Sequence, residues 1–214
     1  MLTVGICGLI ERIDSLEKIF NELSSQGAKV IAVIDNRQKS LGFKRNYLLE
    51  KVTTDIVSFV DDDDRIDKKY VETILREFTD CDLLTFRTQH YQDGSKTLPV
   101  VYSSEFRKQK NLLDRYERYP NAICVWKTDL IKKIGFSDIT FGEDSEFGER
   151  VSLMKIKEKR IKDILYHHQY DTVKSLSNVR NESDEVIELS FEVDRFNAND
   201  YKHLTNHLIT CYRY

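Results

Sequence analysis

The sequence predicts an α/β fold in which a mostly parallel central sheet carries helices on both faces and the second half turns to α+β. Three observations point there. Apolar strand-like runs alternate with amphipathic helical stretches over roughly the first hundred residues, and crossovers of that kind build parallel sheets covered on both sides. The run Ile56-Val57-Ser58-Phe59-Val60 is almost continuously apolar, as a strand buried on both faces must be. After Phe86 the pattern changes, and Asp93-Gly94 between two alternating runs signals a hairpin. With 214 residues the chain suffices for one packed core and is short for two.

In order, the apolar start at residues 2–10 is interrupted by Gly5 and Gly8 and has no basic leader, so it reads as a first strand and not a signal peptide. Asp14 with Glu17 resembles a capping box, after which Leu16, Ile19, Phe20 and Leu23 line one helical face up to a stop near Gly27. A strand at residues 30–34, a helix at 44–52 and the strand ending at Val60 follow. Asp67 then caps a helix that turns Tyr70, Val71, Ile74, Leu75 and Phe78 toward the sheet. Residues 83–86 give a further strand, and residues 85–91 and 97–102 the hairpin. Residues 122–126 read as a strand, and Thr128 caps a short helix that Gly135 ends. Phe147, Val151 and Met154 share a helical stripe that begins near Glu143-Asp144, and a strand at 161–166 precedes His167 and His168. Beyond Ser177 the chain is acidic through Asp194, then mildly helical around Leu204 and Leu208.

Lys plus Arg number 33 against 36 Asp plus Glu, a net charge of −3, so no global basic field advertises nucleic acid. Cys7, Cys81, Cys124 and Cys211 show no Cys-x-x-Cys spacing, which argues for reduced thiols in a cytoplasmic setting and against zinc or a disulfide framework. No apolar stretch approaches the roughly 20 residues needed to span a bilayer. A Gly-x-x-x-x-Gly-Lys-[Ser/Thr] loop is missing, which excludes P-loop chemistry.

The most informative feature is the run Asp61-Asp62-Asp63-Asp64 directly after the buried strand. Acidic runs are ordinarily solvated loops. These acids, however, fall at the carboxyl end of a strand, where open α/β sheets place their ligand crevice. Carboxylates crowded there repel one another unless a cation sits among them, and hard oxygen ligands suit Mg²⁺ or Mn²⁺ shared with substrate phosphates. Asp35 ends the second strand in the same way, and Lys44-Arg45-Asn46 follow Gly42 at a helix start where cations beside backbone N–H groups can hold phosphate. Glu143-Asp144 after Gly142 is at least a favourable helix N-terminus, and a carboxylate there can serve as a general base.

Together these residues resemble glycosyltransferase family 2 and its GT-A, Rossmann-like fold. The stretch from Val4 to about Ser177 matches, most strongly in Asp55-Ile56-Val57-Ser58-Phe59-Val60 with its four aspartates, then in Trp126-Lys127-Thr128-Asp129-Leu130-Ile131 through Phe136 to Phe141-Gly142-Glu143-Asp144. The resemblance implies residues 1–178 as the GT-A domain, with 179–214 a C-terminal extension packed on it. It implies a nucleoside diphosphate sugar, a UDP-sugar above all, as donor and Mn²⁺ or Mg²⁺ as cofactor. Arg12 and Asp35 would line the nucleoside pocket, with Lys44, Arg45, Asp61 and Asp62 completing the donor site. Asp63, with Asp61 and His168, would hold the metal, and Asp144 would be the catalytic base. Adjacent strand residues point to opposite faces, so at most one of His167 and His168 reaches the metal, and His168 is preferred. The family usually has a Pro-Thr-Tyr-Asn-Arg-like end to its first strand, and Cys7-Gly8-Leu9-Ile10-Glu11-Arg12 departs from it.

The resemblance implies as acceptor a glycan or a hydroxymethylated pyrimidine in phage DNA, and as sugar a hexose or a pentose. For DNA, Lys155, Lys157, Lys159, Arg160 and Lys162 form one basic cluster and Arg107, Lys108 and Lys110 another, though such clusters are most often solvated faces. The rival reading from outside enzymology is a non-catalytic sugar-nucleotide-binding module.

Overall fold

Strand β1 (Leu2–Leu9) is buried along its whole length because parallel neighbours flank it, β2 (Lys29–Asp35) on one side and β3 (Ile56–Asp61) on the other. The computed structural model describes residues 1–172, 187–192, 199 and 207–212. Helix α1 (Ile13–Ser25) joins β1 to β2, and α2 (Leu41–Lys51) joins β2 to β3. A short β4 (Arg65–Ile66) and α3 (Tyr70–Glu77) lead to β5 (Leu83–Gln92), which turns through Asp93 and Gly94, both at positive φ, into antiparallel β6 (Ser95–Tyr102). Two short strands follow, β7 (Lys110–Asn111) and β8 (Tyr116–Arg118). Then come β9 (Val125–Lys127), α4 (Thr128–Ile134), α5 (Glu143–Ser152) and the long β10 (Glu158–Tyr170). Strands β11 (Ile187–Glu192) and β12 (His207–Tyr212) extend the far edge, β12 antiparallel to β2.

The sheet runs β11-β12-β2-β1-β3-β9-β5-β6-β8-β7, with β10 beside β5 and β4 beside β10. Both faces are covered. The Ser58 hydroxyl meets the Tyr70 hydroxyl of α3 at 2.7 Å on one face, while Phe59, next in the strand, lies edge-on to Phe136 with Arg45 of α2 above it on the other. Gln26 at the end of α1 bonds the Asp67 carbonyl and the Val71 amide, so α1 and α3 share a face. The apolar stripe Leu16, Ile19, Phe20 and Leu23 is buried as expected. Among the described residues no helix is long and apolar enough to cross a membrane.

Several local expectations fail for identifiable reasons. A 3₁₀ turn at Ile10–Arg12 runs straight into α1, so Asp14 falls inside the first turn, Arg12 is the N-cap and no capping box forms. Helix α2 starts three residues early because Ser40 caps it, its hydroxyl accepting the Phe43 amide at 2.9 Å. Leu75 is exposed and Thr73 buried, since α3 is short and tilts its stripe. Thr128 does not cap α4; its amide donates to the Asp55 carbonyl and Lys127 is the N-cap. Met154 lies beyond α5 and is exposed. Of the expected 122–126 strand only residues 125 and 126 belong to a strand, which runs on to Lys127. Leu208 belongs to β12 and not to a helix, because β12 finds strand partners on both sides, β2 and β11, with Leu208 opposite Glu188; Leu204 lies outside the described residues. Cys7 and Cys124 are buried and unbridged, and burial pushes the Cys7 thiol up to about 12, so it behaves as a small apolar group.

Candidate active site

The site forms where β3 ends. A tight turn, closed by the Asp64 amide on the Asp61 carbonyl at 3.2 Å, splays the four carboxylates in different directions. Asp62 turns inward and accepts the Leu9 amide at 2.9 Å and the Arg12 guanidinium at 3.2 Å, tying the turn to the end of β1. Asp63 stays partly exposed and meets Arg12 at 2.5 Å. Asp64, buried, accepts the Tyr166 hydroxyl at 2.6 Å and the Gln169 amide at 2.6 Å, with His168 Nδ1 at 3.0 Å. The Asp61 amide donates to the Tyr166 hydroxyl at 3.0 Å, so one phenol on β10 organises both ends of the turn.

Burial raises the carboxyls of Asp61, Asp62 and Asp63. Asp62 is lifted to about 6 against the pull of Arg12. Asp63 reaches about 7, with Asp62 and Asp64 adding repulsion to burial. His168 is raised too, which for it favours the charged form: burial opposes its charge, but the hydrogen bond and charge of Asp64, reinforced by Asp61 and Asp63, hold it up at about 9. His90 stacks on it at 5.1 Å between ring centroids and is lowered by burial and by the His168 cation. His167 projects elsewhere, toward Tyr91.

Helix α2 supplies two buried cations. Lys44 bonds Asp35 at 2.8 Å and the Gly8 carbonyl at 3.3 Å, and the other Asp35 oxygen accepts the Lys39 amide at 2.8 Å. Asp35 and Lys44 are therefore buried together, both carboxylate oxygens engaged. Arg45 forms a buried ion pair with Glu143 and reaches Asp61 at 3.6 Å, its guanidinium over the rings of Phe59 and Phe136. Gly42 lets α2 touch the segment before α5: an added Cβ would lie 1.8 Å from the Ser137 carbonyl oxygen, a contact only glycine allows. Gly142, at positive φ, opens α5, and the Ser145 amide donates to Asp144 Oδ1 at 2.8 Å.

Two cavities meet here. One of about 390 Å³ is walled by Asp61, Asp64, Asp144 and His168 together with Tyr116 and Arg118. A smaller one of about 150 Å³ contains Arg12, Asp61, Asp62, Asp63 and His168. Asp61 and His168 belong to both and mark the divide between them. Asp144 lines only the larger cavity and Arg12 only the smaller.

A divalent ion of the Mg²⁺ or Mn²⁺ kind needs only one or two protein carboxylates when substrate phosphates complete its shell. Among the described residues no three His, Cys, Asp or Glu side chains converge on one point, so the protein offers a pair at most. Asp61 and Asp63, with side chains 34% and 39% exposed, line the same small cavity, each with an arginine beside it (Arg45 at 3.6 Å, Arg12 at 2.5 Å) and carboxylate surface left open. That donor set fits such an ion. Tyr166, Glu143 and His90 escaped sequence reasoning: Glu143 adjoined a candidate, whereas Tyr166 and His90 reach the site only through the pairing of β10 with β5.

The glycosyl transferase family 2 model matches residues 12–139, more than half of the chain. The chain belongs to that family. S. aureus TarS 1-349 in complex with UDP-GlcNAc superposes with a TM-score of 0.62 at 18% identity, covering 85% of this chain and 62% of that one. The same TarS fragment in complex with UDP gives 0.59 at 19%, covering 79% and 60%. The chain thus spans less than two thirds of the fragment it matches. At this identity the likeness establishes the GT-A fold, with its open, mostly parallel sheet. No curated protein matches the chain.

Proposed function

We propose that this family 2 member is a metal-dependent inverting glycosyltransferase that moves a sugar from a nucleoside diphosphate sugar, a UDP-sugar foremost, to an acceptor hydroxyl. The observation that carries the reading is the meeting of two cavities at Asp61 and His168, with Asp144 in the larger and Arg12 in the smaller. The nucleoside diphosphate lies on the side of Arg12, above Asp35 and Lys44, and the sugar and acceptor occupy the larger cavity. Asp61 and Asp63 would hold Mn²⁺ or Mg²⁺, with His168, bonded to Asp64, beside them. When bound, the ion supplies Lewis-acid stabilisation of charge on the departing diphosphate. Asp144 takes the proton from the acceptor hydroxyl, whose oxygen bonds the anomeric carbon as the carbon–diphosphate bond breaks; one displacement inverts the centre. Asp62, held by the Leu9 amide and Arg12, fixes the height of the turn beneath the donor.

Between the two acceptors, the glycan is favoured. Lys157, Lys159 and Arg160 are paired with Asp80, Glu77 and Glu105, and Lys159 lies opposite Leu84 where His168 lies opposite His90, a separation along β5 of roughly 20 Å at about 3.3 Å per residue. Arg107 is spent on the Ser152 carbonyl. The first cluster therefore offers few free cations for DNA phosphates, while Lys108 and Lys110 of the second adjoin Gln109 and Asn111 at the larger cavity. Transfer that weakens steeply with salt would restore DNA, since phosphate contacts release counterions.

A thermal-shift screen of nucleoside diphosphates and their sugars, with and without Mn²⁺, tests the donor assignment, because a ligand selective for the folded state raises its stability. Uridine compounds should shift the midpoint most, and only with the ion. Binding with neither transfer nor slow donor hydrolysis would identify a non-catalytic sugar-nucleotide-binding module.

A further inference from the structure

We propose that Arg45 and Glu143 are positioning residues: one buried ion pair, reaching from α2 to the first residue of α5, sets where Asp144 stands relative to Asp61. The inference rests on the function just proposed, in which those two acids serve the acceptor and the donor. Arg45 and Glu143 side chains are each 4% exposed, so neither charge is stabilised by water and each depends on the other. The Arg45 guanidinium also lies 3.6 Å from Asp61 and over Phe59 and Phe136, which fixes its plane. Phe136 stacks on Phe147 of α5 at 4.5 Å, so the same cation is braced against the helix it pins.

The geometry is economical. Glu143 and Asp144 are consecutive in the first helical turn, one buried against Arg45, the other lining the larger cavity. Gly142 at positive φ makes the entry to α5 a sharp corner, and among the described residues the ion pair is the polar tie that links this corner to the β3 acids. Arg45 is thereby reassigned from a phosphate contact to a brace, leaving Arg12 as the guanidinium on the donor side.

The test is the double variant R45M/E143M, which removes both charges at similar volume, a change that buried pairs often tolerate without loss of stability. Hydrogen exchange should show the α5 amides from Glu146 onward, the first bonded within the helix, exchanging at least about tenfold faster while β1 amides stay protected. In transfer assays kcat should fall at least about tenfold with the donor KM changed less than about threefold, the signature of misplaced reacting groups. E143Q, which keeps shape but loses charge, should show the same split more weakly. Unchanged exchange in α5, or unchanged kcat in a folded double variant, overturns the proposal. If the unmodified protein neither transfers nor hydrolyses any sugar nucleotide, the proposed function falls, and the exchange measurement still decides whether the pair pins the helix.

Discussion

The acid run after β3 and the acid pair at the start of α5 handle the same problem differently. Four consecutive aspartates cannot all face one another, and the turn spreads them so that Asp62 meets Arg12 and a backbone amide, Asp64 meets Tyr166 and His168, and only Asp61 and Asp63 keep exposed carboxylate surface. At α5 the division is within two residues: Glu143 is buried against Arg45 and Asp144 is left in the cavity. In both places a buried, partnered acid stands next to one left open to a cavity. Burial together with a dedicated partner distinguishes the first kind from the second.

That division predicts unequal effects. Asp144→Asn should leave donor binding nearly intact and lower turnover by about 10²-fold or more, the scale of a lost general base; steady-state transfer kinetics check it, and near-normal turnover would remove Asp144 from the role. Asp64→Ala should instead act on folding, costing about 3 kcal/mol, because it strands the buried Tyr166 hydroxyl and the Gln169 amide; urea unfolding measures it.

The pH dependence sharpens the contrast. Asp62 and Asp63, raised to about 6 and 7, favour the folded state most when protonated, so their contribution is fully present below about pH 4 and is lost as pH rises through 6 to 7. His168, raised to about 9, contributes below its ordinary value near 6.5 and loses that contribution as pH climbs through 9. Melting temperature should therefore decline from pH 5 to pH 9. Mn²⁺ with UDP should raise it more at pH 8 than at pH 5, where protons compete for Asp63. The smallest effect belongs outside both acid regions: Ser40→Ala removes the α2 cap and should cost about 1 kcal/mol without altering the donor KM.

Much of the first half was legible because its signals are local. The apolar run ending at Val60, the stripe of α1 and the Asp93-Gly94 turn each follow from neighbouring residues and reappear in the structure. The α1 start misled because a 3₁₀ turn shifted the register by which Asp14 would have been a cap. The second half depends on distant pairing. Strand β9 slots antiparallel between β3 and β5, and β10 runs parallel to β5 with two register shifts that no periodicity announces. The site divides in the same way: Asp61, Asp63 and Asp144 stand out by residue type and place, whereas the Tyr166 bridge and the Arg45–Glu143 pair exist only once the elements are assembled.

The most direct test is a crystal soaked with Mn²⁺ and UDP. We expect the ion between Asp61 and Asp63 and the diphosphate, with the uridine on the Arg12 side and the larger cavity beside Asp144 open to a sugar. Nucleotide bound elsewhere, with the β3 turn carrying neither ion nor phosphate at saturating concentrations, would contradict the account.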